Sequence, residues 1–242
     1  MTWVERTVDR SPAMQRTRNR RIEQAKLIID AARQLIAVKD SSFTLQELVT
    51  QADVALQTFY RYFSSKDQLI LAVIEEMITE TCQVYEERSR RISDPMDRLQ
   101  YYIMTTLGPA SLGEENARGA QFVTAEHWRL HRLYPEELAQ ATKPFTDLIL
   151  RQVVAATDAG VLTPSDPQGS AWLINQLVTA VFHHYAFAPH DESREGVGDR
   201  VWLFCLGALG GLEEQVDRHG WLPGSRTSTQ PTTSGPLPAG AA

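Results

Sequence analysis

The amino-acid sequence predicts an all-α protein of about nine or ten helices, with a small N-terminal head and a larger helical body. Three observations support this. Apolar residues recur at steps of three and four along most of the chain. Proline, glycine and short polar runs separate these segments at helix-like lengths. No segment shows the period-two alternation of a half-buried strand.

Residues 44–66, TLQELVTQADVALQTFYRYFSSK, contain the strongest local signals in the chain. Thr44 followed by Glu47 forms a capping box that starts one helix. The turn Asp53-Val54-Ala55 is short and polar, and a second helix follows from Leu56 to Phe63. Ser65, with a glutamine three residues later, starts a third helix at Lys66. Two short helices joined by a tight turn form a helix-turn-helix.

The outer face of the second helix indicates what it could bind. Phe59 and Phe63 lie four residues apart and should both face inward. No carboxylate occurs from 54 to 66, and the side chains left for the surface are Leu56, Gln57, Thr58, Tyr60, Arg61 and Tyr62. Gln and Arg suit base edges, hydroxyls suit phosphates, and Lys66 lies at a helix N-terminus that favours a phosphate. The alternative is a surface helical hairpin rich in aromatic residues.

The run T-x-x-E-L-V-x-x-A-D-V-A-x-x-T-F-Y-R-Y-F-x-S-K-D-x-L resembles the DNA-binding signature of the TetR family of bacterial transcriptional regulators, over roughly residues 20–70. The resemblance implies base contacts from Leu56, Gln57 and Tyr60 and a variable role for Arg61. It implies phosphate contacts from Thr44, Thr58, Tyr62 and Lys66. Two positions depart from the family pattern. Asp53 stands where the turn usually has Gly, and Asp tolerates a left-handed backbone. Ala55 stands where Ser or Thr is frequent, and alanine cannot cap a helix.

Charge is distributed unevenly along the chain. Residues 1–66 hold 11 Lys and Arg against 7 Asp and Glu, whereas residues 67–242 hold 13 against 23. The balances are therefore +4 and −10. A basic head on an acidic body concentrates attraction for phosphate at one end of the molecule.

The remaining pattern divides the chain into a flexible basic arm (1–19), a helix-turn-helix DNA-binding domain (20–66), a helical ligand-binding and dimerisation domain (67–221) and a disordered tail (222–242). The first helix should span 20–39 and brace the helix-turn-helix. The third helix should continue to about residue 91 and link head to body. Further helices are expected at 95–107, 115–133, 135–160, 167–187 and 198–218.

The last two of these helices are apolar on more than one face, and the second carries Gly207, Gly210 and Gly211. Glycines in a helix that persists often mark close approach of another helix. We expect the pair to form a four-helix interface in a homodimer, as the family resemblance implies. The candidate interface residues are Trp172, Leu173, Leu177, Val181, Trp202, Leu206, Leu209 and Gly210. The alternative is that both helices are internal core.

A small-molecule pocket is expected in the body, because pockets combine aromatic and aliphatic walls with a few polar groups. The same composition also describes a core. Its candidate residues are Tyr101, Tyr102, Met104, Phe122, Trp128, Phe145, Leu148, Asn175, Phe182 and His183. Such a lining favours a lipophilic effector with one or two polar groups.

Other functions find little support in the sequence. Cys82 and Cys205 form no C-x-x-C and suit buried thiols in a reducing cytoplasm. His127 and His131 could face one another on a helix, but no third metal ligand is evident. No nucleotide-binding or nucleophile motif is present, so we expect no catalytic residue, no cofactor and no metal. No apolar run is long enough to span a membrane.

These observations predict a cytoplasmic, nucleoid-associated transcriptional regulator. We expect a ligand-responsive repressor that binds a palindromic double-stranded DNA operator as a homodimer. Two alternatives stay open. One is a transcriptional activator, and the other is a dimeric ligand-binding module whose DNA contacts are secondary.

Overall fold

The computed structural model describes residues 15–113, 116–188 and 194–211, and within these ranges every regular element is helical. The elements are α1 Gln15–Lys39, α2 Leu45–Gln51, α3 Leu56–Tyr62, α4 Lys66–Arg88, α5 Pro95–Leu107, α6 Pro109–Leu112, α7 Ala117–Leu133, α8 Pro135–Asp158, α9 Pro167–Phe187 and α10 Val197–Ala208. A short 3-10 turn, Asp40–Ser42, connects α1 to α2. The all-α prediction is confirmed.

Local signals place most helix ends where the sequence predicted them. Helix α5 matches at both ends, with Asp94 as N-cap and Pro95 in its first turn. Helix α9 also matches at both ends. Helix α8 ends before Gly160, whose φ of +72° suits a residue without a side chain.

Two expected helix limits were wrong. Helix α1 begins at Gln15, so residues 15–19 of the predicted arm are helical, and the rest of that arm lies outside the described residues. Helix α10 ends at Ala208 instead of continuing towards 218. Gly210, with φ +75°, follows this helix end and is not inside the helix. The predicted C-terminal tail also falls outside the described residues.

Two large apolar clusters hold the helices together. The first buries residues of α1 to α4, such as Ile28 and Phe63, together with Phe122 and Leu130 of α7 and Leu138 and Ala141 of α8. The N-terminal helices therefore share a core with the body instead of closing one of their own. The second cluster joins α5, α8, α9 and α10 around Val153, Val178 and Trp202.

Helix α4 connects the two regions. Its N-terminal half is buried on nearly every side, from Leu69 to Glu75, and its C-terminal half is buried mainly at Cys82 and Tyr85. At 1.5 Å per residue its 23 residues span roughly 35 Å. None of the described helices is both long enough and apolar enough to cross a membrane.

Candidate nucleic-acid interface

Helices α2 and α3 form the helix-turn-helix, and each end is set by a local interaction. Thr44 Oγ1 accepts a hydrogen bond from the Glu47 amide at 3.2 Å, and Glu47 Oε2 accepts one from the Thr44 amide at 2.7 Å. This is the predicted capping box. Hydrogen bonds from the Lys39 ammonium and from Thr44 lower the pKa of Glu47 to about 2. Asp53 occupies the turn with φ +50°, as expected.

The N-terminus of α3 lacks a side-chain cap. Ala55 occupies the N-cap position and makes no side-chain hydrogen bond. The backbone alone closes the first turn, with the Thr58 amide donating to the Ala55 carbonyl at 2.8 Å. The stability of α3 therefore depends on packing, because a capping side chain typically contributes about 1 kcal/mol. Phe59 and Phe63 supply that packing; both are fully buried and their rings stack at 5.7 Å.

The solvent face of α3 carries the side chains that could read DNA. Leu56 and Tyr60 are 42% and 52% exposed, respectively, and Gln57 and Arg61 are also exposed. The Arg61 guanidinium lies over the Tyr62 ring, 5.5 Å from its centroid. Its single hydrogen bond to a described side chain, to Thr58 Oγ1 at 3.4 Å, is long and therefore weak. Most of its donors remain directed to solvent.

One residue expected on this outer face, Tyr62, lies elsewhere. Tyr62 is only 7% exposed, and its hydroxyl donates to Gln24 Oε1 of α1 at 2.8 Å. The prediction that Tyr62 lies on the outer surface of α3 was therefore wrong. Its hydroxyl ties α3 to the brace helix α1.

The Lys66 ammonium also faces protein. It donates to the Ser41 carbonyl and, at 2.5 Å, to the Phe43 carbonyl, and it lies 4.2 Å from the centroid of the Phe43 ring. Burial lowers its pKa. These contacts hold the α1–α2 connection against the start of α4. A phosphate bound by Lys66 would therefore compete with the Ser41 and Phe43 carbonyls for the same ammonium.

Three sets of ionic and polar contacts connect the helix-turn-helix region to neighbouring helices. Arg33 of α1 forms a two-pronged ion pair with Glu80 of α4, with both distances 2.8 Å. Arg118 of α7 donates to the Ala37 carbonyl at 3.0 Å. In the third set, Arg129 of α7 bridges two carboxylates.

Arg129 lies 2.8 Å from Asp67 and 2.7 Å from Glu126. Asp67 belongs to the first turn of α4, directly after the helix-turn-helix. Glu126 is a carboxylate with only 4% exposure and therefore needs its cationic partner. The triad could not be predicted from the sequence, because Asp67 lies about 60 positions before Glu126 and Arg129.

The ten predicted pocket residues are distributed over several separate clusters of the body. Tyr102 and Leu148 are buried in a small cluster with the partly buried Tyr101 and Phe145. Phe122 belongs to the N-terminal core, and Met104 packs close to Gly198 of α10. Trp128 is 64% exposed, near the buried His183, whereas Asn175 is buried and Phe182 is partly buried. The prediction of a single pocket from this set is therefore not supported by the arrangement.

The predicted interface residues divide into two groups. Trp172 and Leu173 are 55% and 61% exposed, and Leu177 and Val181 are partly buried. Trp202, Leu206 and Leu209 are at most 3% exposed and fill the second core cluster. For these three residues the alternative of internal core is correct. Gly210 is exposed at the end of α10.

The histidines of α7 and α9 lie close together. The His127 ring stacks on His131 at 6.0 Å and approaches His183 to 4.7 Å. Burial, and then the neighbouring His127, lowers the pKa of His183 to about 4. Within the ranges that the structure describes, no three His, Cys, Asp or Glu residues are placed to hold a metal ion together.

Comparison with known proteins agrees with this geometry. Residues 28–73, which cover α2, α3 and parts of α1 and α4, match the family described as bacterial regulatory proteins, tetR family. Residues 28–73 therefore form a TetR-type helix-turn-helix region. A curated relative, an uncharacterised HTH-type transcriptional regulator, YvaF, of Bacillus subtilis strain 168, is 35% identical to this chain over 78 residues. That match covers 31% of this chain and 41% of the relative.

Solved structures resemble the fold of this chain over most of its length. FadR of Bacillus subtilis, in complex with stearoyl-CoA, has a TM-score of 0.61 at 16% identity and covers 76% of this chain and 98% of its own. FadR of Thermus thermophilus, a transcriptional repressor in complex with lauroyl-CoA, has a TM-score of 0.63 at 16% identity, with coverages of 76% and 94%. RolR in complex with resorcinol has a TM-score of 0.60 at 16% identity, with coverages of 83% and 94%. At these identities the likeness concerns the fold. The family matched by residues 28–73 and the curated relative are both described as regulators.

Proposed function

We propose that this protein is a sequence-specific DNA-binding transcriptional regulator that places α3 in a major groove. The outer face of α3 carries this proposal. It presents Gln57, Tyr60 and Arg61 to solvent with no carboxylate from 54 to 66, on a helix held by two buried phenylalanines. Gln and Arg side chains make bidentate contacts with base edges, and a hydroxyl can reach a base or a phosphate.

The proposed role of each residue follows from how exposed its side chain is. Leu56, Gln57 and Tyr60 are assigned to bases, and Arg61 has the reach for either a base or a phosphate. Thr44 and Thr58 are assigned to phosphates, and Thr44 would do so while keeping its capping interaction with Glu47. Tyr62 and Lys66 are assigned first to holding α3 and α4 in place, with any phosphate contact secondary.

We propose that the working unit is a homodimer formed through α9 and α10. Helix α9 exposes Trp172 and Leu173 at its start and Phe187 at its end, and α10 exposes Phe204 to 69%. Large apolar side chains that recur on the outside of neighbouring helices are typical of an interface. Two copies of α3, about one helical turn of DNA apart, would read the two halves of a palindromic operator.

We further propose that the regulator is a repressor, responds to a lipophilic effector bound in the body and acts in the cytoplasm. Three of the similar structures carry a small organic ligand, and one of these proteins is described as a repressor. The Asp67–Arg129–Glu126 triad joins α7 of the body to the first turn of α4. A ligand that moves α7 would therefore also move the helix-turn-helix. A 100-fold preference of the ligand for one state supplies about 2.7 kcal/mol towards that shift.

Binding of the full-length protein to its own upstream intergenic DNA tests the proposal. We expect salt-sensitive binding with two protomers, or a multiple of two, per site and much weaker binding to a scrambled duplex. Arg61→Ala should weaken operator binding by about 1–3 kcal/mol. Arg132→Ala removes the same charge from an exposed position on α7 and is the matched control.

The result that opposes the proposal is equal affinity of wild type and Arg61→Ala for every site recovered in a genome-wide footprint. Sites that are found only away from the upstream region would still support a regulator and would supply the operator. An activator would show the same DNA binding but would raise transcription of the adjacent gene in a reporter assay.

A further inference from the structure

An open cleft of about 440 Å³ lies where the C-terminal end of α4, the first half of α5 and the C-terminal part of α8 meet. Its size falls within the range of small-molecule sites. The lining residues are Glu86, Ser89, Arg90, Arg98, Tyr102, Arg151, Gln152 and Ala155. Tyr102 is the only one of these that belongs to the predicted apolar pocket.

The charge of the cleft is opposite to that of the surrounding body. Three guanidinium groups face one carboxylate, Glu86, whereas residues 67–242 as a whole carry a balance of −10. Like charges collected in a concave site repel one another unless an anion neutralises them. Glu86 and Glu87 neutralise part of this charge through their ion pairs with Arg151 and Arg90, respectively.

The Arg98 side chain has one hydrogen-bond donor, Nε, that no described residue accepts from. Its Nη2 donates to the Ser93 carbonyl at 3.0 Å, which fixes the direction of the side chain. Its Nε is buried and has no hydrogen-bond partner among the described residues. A buried donor without a partner typically costs about 1–3 kcal/mol, so an acceptor placed there would be favoured.

The floor of the cleft is rigid and polar. Ser89 and Tyr102 are each 1% exposed, and their hydroxyls hydrogen-bond at 3.1 Å. Gln152, which is 6% exposed, lies beside them. Tyr102 also stacks on Tyr85 at 6.1 Å, so the floor continues into an aromatic cluster. This combination suits a molecule with an anionic group and a carbon skeleton.

We propose that this cleft binds the carboxylate or phosphate group of a small organic anion. The anion accepts from the guanidinium of the partly exposed Arg98 and takes over the guanidinium of Arg151 from Glu86. Arg90, at the rim, adds attraction. Carboxylates and phosphates share the planar or forked acceptor geometry that guanidinium groups recognise. The bound group would contact the last turns of α4, the same helix that carries the helix-turn-helix at its other end.

Calorimetric titration of the full-length protein with inorganic pyrophosphate and with citrate, at constant ionic strength and without DNA, tests the site. Wild type should bind at least one of the two probes, and the probe that binds identifies phosphate or carboxylate as the group recognised. Arg98→Gln and Arg151→Gln should each weaken binding about tenfold or more. Arg88→Gln changes the net charge equally, at an exposed position outside the lining, and should bind as wild type does.

Glu86→Gln separates binding from stability. Glu86→Gln and Arg151→Gln remove the same ion pair and should lower the melting temperature by similar amounts. They should change anion affinity in opposite directions, because Glu86→Gln removes the competing carboxylate and strengthens binding several-fold. Glu137→Gln, exposed at the start of α8, is the charge-matched control for this variant.

Absence of binding of both probes to wild type and to Glu86→Gln would overturn the proposal. Equal weakening by Arg88→Gln and Arg98→Gln would also overturn it, because general charge would then explain the attraction. The titration contains no DNA, so its outcome is independent of whether α3 reads an operator.

Discussion

Replacing Lys66 by methionine should destabilise the protein, since the Lys66 ammonium is part of the internal contacts of the N-terminal region. Methionine keeps an apolar stem beside Phe43 but cannot donate to the Ser41 and Phe43 carbonyls. A hydrogen bond from a charged donor contributes about 1.5–3 kcal/mol, and a cation–π contact about 0.5–1 kcal/mol. Water can hydrate the two carbonyls once the ammonium is removed, and this hydration offsets part of the lost free energy. We expect a net loss of about 2–4 kcal/mol.

Thermal and urea unfolding of wild type, Lys66→Met and Lys26→Met would measure this loss. For a chain of this size the melting temperature should fall by about 5–12 °C in Lys66→Met. Lys26 is exposed on α1 and supplies the matched control, for which we expect no change. Unfolding should be monitored by near-ultraviolet circular dichroism and tryptophan fluorescence together, so that a two-state transition is verified.

The same variants separate the structural role of Lys66 from a phosphate contact. A residue that only positions α4 should leave the slope of log affinity against log salt unchanged when it is replaced. A phosphate contact should flatten this slope by about one unit. Unchanged stability together with a flattened slope would refute the structural argument.

Three further predictions concern the reading helix, the subunit interface and a buried histidine. Tyr60→Ala should weaken operator binding by about 1–3 kcal/mol without changing the melting temperature; equal affinities in a gel-shift titration would contradict this. Trp172→Arg should weaken the dimer more than about tenfold in sedimentation equilibrium, whereas the same replacement of Trp128 on α7, which is also exposed, should not. His183 has a pKa lowered from 6.5 to about 4, so the unfolded chain binds its proton first as pH falls. Stability should therefore be complete above about pH 6.5 and decrease by about 1–2 kcal/mol on going to pH 5. His183→Gln should flatten this dependence in urea titrations, and an unchanged slope would refute the assignment.

Much of the helix-turn-helix could be predicted from the sequence because its signals are local. The Thr44–Glu47 capping box, the left-handed backbone at Asp53 and the four-residue spacing of Phe59 and Phe63 each involve residues within one turn of chain. Such local features depend little on how the rest of the chain packs. The predictions made from them were therefore correct, and so was the prediction that Ala55 provides no side-chain cap.

The orientation of Tyr62 and Lys66 could not be predicted from the same pattern. Helical periodicity gives the angle between side chains on one helix. It does not show which residue of another helix each side chain contacts. Tyr62 finds Gln24, 38 positions earlier, and Lys66 finds carbonyls 23 and 25 positions earlier. Both partners belong to the α1–α2 region, and their approach depends on how α1 packs across the two short helices.

The sequence by itself determined the all-α class, most helix limits and the chemical character of α3. Only the tertiary structure decided that Trp202 and Leu206 are core while Trp172 is exposed, because the two groups have the same apolar composition. It also decided that Arg98 and Arg151, 53 positions apart, face one cleft beside Glu86. Composition and periodicity describe a residue and its near neighbours. Sites built by contact between distant helices depend on the free energy of packing of the whole chain, which no local pattern contains.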